Sequence, residues 1–319
     1  RMSGLVVSHE ARQSLPAKPM GGVRAALLRA KGLAWRRDAA GAGPGRVLAR
    51  RAEGGAPFEP PSVFLLKRQF DLVENEPFRA GLARGMVMGR LMNMAWLLAR
   101  ISRARNVREA GVLAQEVRGW AEVAGDATDL LTLRGVAGEA GARYYLGLRH
   151  GLSEGHGFTR RDRRIGADPV NVVISLLCMF AARQAFAALK SAGLDPRPGV
   201  LHDLDDARPA LALDLAGEFT PLVADRLALS LFNQGVVGRG DFLPGLAGMF
   251  PEWGASPERL APAALRRVSR AFERRMETPM LTGCGGERMS PRQGMASQAR
   301  QLRRAMEGDI RLYRPMVLE

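Results

Sequence analysis

Cysteine is almost missing from this 319-residue chain: Cys178 and Cys284 are its two thiols. That excludes a disulfide framework and a Cys-rich zinc site. The four histidines, His9, His150, His156 and His202, leave little room for a His-rich metal cluster. No apolar run is long enough to span a bilayer. The longest, Val170 to Ala182, stops short of the ~18–20 residues required, so no membrane association is expected. The N-terminus has no basic segment followed by an apolar one, so no secretory leader is expected. These absences predict a soluble protein of a reducing compartment. Lysine is scarce as well: four of the 47 basic residues are lysine and the rest arginine.

What is abundant is positive charge. The 47 basic residues face 32 acidic ones, a net charge of +15. Such a charge repels itself and is best tolerated beside a polyanion. Nucleic acid is the usual one, because each neutralised phosphate releases counterions. A genome that favours arginine codons would raise the charge too, so clustering says more than the total. Arg160, Arg161, Arg163 and Arg164 form one dense run. Arg259, Arg266, Arg270 and Arg274 recur at helical spacing with Arg267 beside them, while Leu265, Val268, Phe272 and Met276 fall on another stripe. One face of that helix would dock on a core. The other would present guanidinium forks suited to phosphates, or be merely a solvated basic face.

The length suggests about two domains at ~150 residues each, and 46% apolar against 25% charged residues is a globular composition. Residues 1–62 read as a small α+β lobe. Short strands are expected at Leu5 to Val7, Leu33 to Arg36 and Arg46 to Ala49, with a helix at Val23 to Ala30. Gly54 to Ser62, with Pro57, Pro60 and Pro61, is the linker candidate. Residues 63–319 read as an all-α lobe, so the fold class is α+β with the larger lobe helical. Helices are expected over Glu76 to Arg103, Val107 to Val123, Ala140 to His150, Val170 to Lys190, from Leu211 to about Asp225, and from Pro291 to about Ile310. Asp168-Pro169 supplies a cap and a first-turn proline. Met86, Met88, Met92 and Met94 read as core filler, Cys178 as a small buried hydrophobe and Cys284 as a loop residue. Glu154 with His156 lacks a convincing partner set.

Two segments carry a specific pattern. One is Asp168-Pro169-Val170-Asn171, then Ala192-Gly193-Leu194-Asp195-Pro196, then Gly199-Val200-Leu201-His202. The other is Leu211-Ala212-Leu213-Asp214-Leu215, then Phe219, then Pro221 through Arg226. Arg84 through Asn93 and the tail from Arg311 to Pro315 add support. In this order and spacing the chain resembles the CRISPR-associated spacer integrase, the larger subunit of the adaptation machinery, over roughly residues 65–315. The resemblance implies a β-rich N-terminal lobe used for homodimerisation and an α-helical lobe holding the active site. It implies a cytoplasmic, prokaryotic protein whose partners are DNA and a small ferredoxin-like subunit. It also implies Mn²⁺ or Mg²⁺ held by one Glu, one His and a second acid, activating a DNA 3′-hydroxyl for strand transfer.

The pattern breaks at both acids. The glutamate of the family's Gly-x-Glu-Gly stretch falls on Ala137, ahead of Tyr144-Tyr145. The acid three residues after Asp214 falls on Gly217, while His202 is kept. Glu139 sits ~200° around a helix from Ala137 and Glu218 ~100° from Gly217, whereas Asp214 lies only ~60° away. The first expectation is therefore a DNA-binding homologue without cofactor that has lost strand transfer, with an active paralogue or another adaptation subunit as its partner. The alternatives are an active Mn²⁺- or Mg²⁺-dependent integrase using His202 with Glu218, Asp214 or Glu139, or a non-enzymatic assembly subunit whose basic faces meet acidic protein.

Overall fold

The computed structural model describes residues 62–162, 168–204, 208–243, 259–283, 286–310 and 312–318, all within one compact unit. The elements expected in residues 1–61, together with Arg163, Arg164 and Cys284, lie outside the described residues.

The described part is helical, as the sequence predicts. Its centre is α2 (Glu76–Arg105), preceded by α1 (Val63–Glu74). Asn75 starts α2 by accepting the Phe78 N–H, with Pro77 in the first turn, and left-handed Asn106 (φ 53°) ends it. Ala83, Leu91, Met94 and Leu98 are fully enclosed. Met86 is buried too, while Met88 and Met92 pack partly buried against the same core. Around α2 pack α3 (Arg108–Asp126), α4 (Leu130–Leu148) and α6 (Ala210–Thr220).

Helix α5 (Pro169–Ser191) packs on α6 and on α9 (Pro291–Glu307). Among the described residues it is the one helix long and apolar enough to cross a membrane. Its stripe of Val170, Ile174, Leu177, Ala181, Ala185 and Leu189 is wholly buried in the core. Cys178 is half-buried on its flank. Asp168 caps α5 through the Asn171 N–H, and Ser290 with Gln293 closes a capping box on α9.

Several elements differ from expectation. Helix α4 is continuous through Gly135, Gly138 and Gly141. Its apolar face of Leu133, Val136, Ala140 and Tyr144 is buried, and Asp129 caps it through the Thr132 N–H. Helix α6 stops at Pro221, which has no N–H to give; the chain passes through a π-helical turn, Pro221–Asp225, into α7 (Arg226–Asn233). Helix α8 (Pro262–Glu277) begins after Arg259, which lies instead in a two-residue ladder pairing β1 (Phe242–Leu243) with β2 (Arg259–Leu260). A second ladder pairs β3 (Met280–Leu281) with β4 (Arg288–Met289). Leu265 is exposed; Ala264, Val268, Ala271, Phe272 and Met276 form the buried stripe of α8. Helix α1 escapes the periodicity reading because Val63 and Phe64 face solvent.

The C-terminal tail lies along α2. A Cβ on Gly85 would meet the Tyr313 ring at 2.9 Å. Two turns further along, the buried Asn93 amide donates to the carbonyls of Glu218 and Met316 and accepts the Leu318 N–H. Gly85, Gly89 and Asn93 share one face at four-residue spacing. Gly85 and Gly89 leave a groove into which Tyr313 and Pro315 settle, and the Asn93 amide ties down the tail at its end.

Candidate functional site

His202 stands on the loop between α5 and α6, and that loop is held from three sides. Asp214 on α6 is buried and accepts the N–H groups of Val200 (2.7 Å), Leu201 (2.9 Å) and His202 (3.3 Å), while its Oδ1 also takes His202 Nδ1. Arg79 of α2 donates to the carbonyls of Val200 and His202 and to Asp203. Arg134 of α4 donates to the Leu201 carbonyl at 2.8 Å and to Asp203 at 2.6 Å. The two guanidinium groups hold the Asp203 carboxyl below the usual carboxylate range. Gly199 is obligatory here. A Cβ would lie 2.6 Å from the His202 carbonyl and 3.0 Å from the Asp214 carboxylate. The imidazole is half exposed.

These anchors locate the two altered positions. Ala137 lies three residues beyond Arg134 and seven before Tyr144, on the same face of α4. Gly217 lies three residues beyond Asp214 on α6. A Cβ on Gly217 would meet only Arg90 Cδ, at 3.8 Å. Arg90 is in electrostatic range of Tyr144 and of Asp225, the buried acid that accepts the Tyr144 hydroxyl at 2.8 Å. Burial pushes Asp225 up to about 6 against the pull of Tyr144, Arg161 and Arg90. Where the resemblance implies two carboxylates, this chain has a methyl group, a bare Cα and the stem of an arginine.

The neighbouring acids do not replace them. Glu218 is fully buried and faces the C-terminal tail. It accepts the Met316 N–H at 2.6 Å, the Tyr313 hydroxyl at 2.8 Å and the Gln298 amide at 3.1 Å. Glu139 is exposed on α4. The Asp214 oxygens are saturated by the loop. Among the described residues no three His, Cys, Asp or Glu side chains come together to hold a cation. The donor set does not fit the divalent ion that the resemblance implies, so no reaction step is assigned to one. The expected grouping of His202, Asp214 and Glu218 is thereby corrected: the first two are joined, and the third belongs to a separate latch.

That latch should titrate. Burial raises Glu218 from its ordinary value to about 8, against the lowering effect of its three donors. Its folded pKa exceeds its unfolded one, so the folded state holds the extra proton between about pH 4.5 and 8. Stability then falls as pH rises through that window, by up to about 1.4 kcal/mol per pH unit from this group. Urea unfolding of wild type and Glu218→Gln from pH 5 to 8 checks this. The variant should flatten the decline, whereas parallel curves would show that Glu218 is charged in the fold.

The arginines divide into two classes. Arg161 is half-buried and committed, bonding Asn171, Ser175 and the Asp162 carbonyl. Arg267 bonds Asp241 and the Val236 carbonyl. Neither is the free fork the sequence suggested. Arg160 is exposed. Arg266, Arg270 and Arg274 are exposed along α8, with no side-chain partner among the described residues. Glu154 is exposed, and His156 bonds Ser153 and stacks edge-on against Phe232. The clasp of Arg79 and Arg134 on Asp203 was not anticipated; its sequence signal is the acid directly after His202 and the arginine one helical turn before Ala137.

The family model described as CRISPR associated protein Cas1 matches residues 54–251. The chain is 34% identical over 260 residues to a Cas4 exonuclease/Cas1 endonuclease fusion of Rhodospirillum rubrum, covering 80% of this chain but only 43% of the fusion. It is 32% identical over 267 residues to a Cas1 endonuclease of Chlorobaculum tepidum, covering 80% of this chain and 74% of that protein. A casposase bound to its integration product has the same fold, with a TM-score of 0.68 at 18% identity over 79% of this chain and 68% of that one. A helical lobe built around a clasped histidine, read with these matches, identifies the chain as a member of the Cas1 family.

Proposed function

We propose that this Cas1-family chain binds duplex or branched DNA within the CRISPR adaptation machinery and does not itself perform metal-dependent strand transfer. The observation that carries this reading is the pair Ala137 and Gly217, with the two acids nearest in sequence to Gly217 committed elsewhere: Asp214 to the His202 loop and Glu218 to the tail. The exposed Arg266, Arg270 and Arg274 on α8, with Arg160, supply the phosphate contacts. Residues 1–62 form the dimerisation lobe, and the α-helical lobe works beside a small ferredoxin-like subunit or a catalytically competent paralogue that brings the missing carboxylates.

The test pairs two assays on one preparation. DNA binding should weaken with salt, at a log–log slope of about −0.9 for each phosphate neutralised. A labelled DNA 3′-hydroxyl strand should yield no joined product in Mn²⁺. Robust joining that EDTA abolishes would overturn the reading, and so would failure to bind DNA at low salt.

A further inference from the structure

A second group of arginines surrounds Trp96 on α2. Arg100, one turn further along α2, places its Cζ 5.8 Å from the Trp96 ring centre; Arg226, first residue of α7, places its Cζ at 5.5 Å. Both distances are those of cation–π contacts, which hold a planar guanidinium in a set orientation. Arg275, near the end of α8, donates Nε and Nη2 to the Leu222 carbonyl at 2.9 and 2.8 Å and Nη2 also to Met280 Sδ at 2.9 Å, so Nη1 is the nitrogen these bonds leave over. Arg226 and Arg275 are half-buried and Arg100 is exposed.

No carboxylate pairs with any of the three among the described residues. What each feels instead is its neighbours. Burial and then the charges of Arg226 and Arg100 lower Arg275 to about 10, and burial with Arg100 lowers Arg226. Three like charges brought together and partly dehydrated raise the energy of the free protein. An anion with several oxygens relieves that repulsion and takes up guanidinium donors that have no carboxylate partner.

We propose that Arg100, Arg226 and Arg275 form a notch for a backbone phosphate of bound nucleic acid, with the Trp96 ring setting the angle of two of the forks. This rests on the DNA-binding reading above and adds a contact outside the α8 stripe. A nucleic-acid backbone is favoured over a free anion because the chain carries net +15 and offers other unpaired arginines to hold neighbouring phosphates.

The experiment is fluorescence anisotropy of a labelled DNA duplex, titrated with the full chain at several salt concentrations. Arg100→Ala should lower the slope of log affinity against log salt by about one, and Arg100→Ala with Arg226→Gln by about two. Arg118→Ala, which removes an exposed charge on α3, should leave the slope unchanged. Should Arg226→Gln fail to fold, Arg100→Ala carries the test, because its side chain lies on the surface. An unchanged slope in Arg100→Ala overturns the notch, as does an equal loss in Arg118→Ala. Stabilisation by inorganic phosphate that Arg100→Ala removes, with the DNA slope intact, would make the notch a free-anion site and overturn it too. Wild type that binds no DNA at all would sink the DNA-binding reading with it, so the two failures are distinguishable.

Discussion

Ala137→Glu and Gly217→Asp, introduced together, should create Mn²⁺-dependent strand transfer, which the function proposed above denies to the unaltered protein. Arg134, one turn before Ala137, and Asp214, one turn before Gly217, both grip the His202 loop. Gly217 faces the Arg90 stem, and Ala137 shares a face of α4 with Tyr144, which is in electrostatic range of Arg90. Carboxylates at the two sites would therefore converge beside the half-exposed imidazole. Position 217 has room, since a Cβ there meets only the Arg90 stem. Each single variant should stay inactive, because two protein ligands hold such an ion weakly. The double variant should exceed background by at least about tenfold, some 1.4 kcal/mol of barrier, in a labelled-oligonucleotide assay. A folded double variant that ignores Mn²⁺ would place the defect elsewhere.

Asp214→Ala should be the most damaging single change near the site, although Asp214 touches no substrate in this account. Its carboxylate holds three backbone N–H groups and the His202 ring. Removing it leaves buried donors at Val200 and Leu201 unpaired. The expected loss is about 3–5 kcal/mol. For a domain of this size that is a fall of roughly 6–15 °C in melting temperature by calorimetry. His202→Ala should cost less than about 1 kcal/mol, because the ring is half exposed and Asp214 keeps its backbone donors. Equal, small effects of the two changes would contradict the clasp.

Much of this was legible in the sequence because the informative residues are local. Asp168-Pro169 marks a helix start by chemistry that acts within one turn, and the apolar period of α5 survives into a buried stripe. The gaps at Ala137 and Gly217 were visible for the same reason, as positions within short motifs. What could not be read were contacts between distant residues. Nothing local marks Glu218 as a partner of Tyr313 and Met316, about a hundred positions away. One residue of helical rotation separates it from Gly217, and that rotation turns a candidate ligand into a tail latch. Arg161 and Arg267 looked like phosphate readers because charge is visible in sequence and an intramolecular partner is not. Arg259 followed the helical spacing only up to the β2 ladder that ends before Pro262.

On the function proposed above, this Cas1-family lobe retains its histidine clasp without a cation cage. Electron paramagnetic resonance of Mn²⁺ titrated into the unaltered protein reads this directly, because protein-bound Mn²⁺ loses the sharp spectrum of the free aqueous ion. The expected result is a free-ion signal that rises in proportion to added Mn²⁺ in the protein alone. A saturable loss of about one equivalent of signal, abolished by His202→Ala, would contradict it.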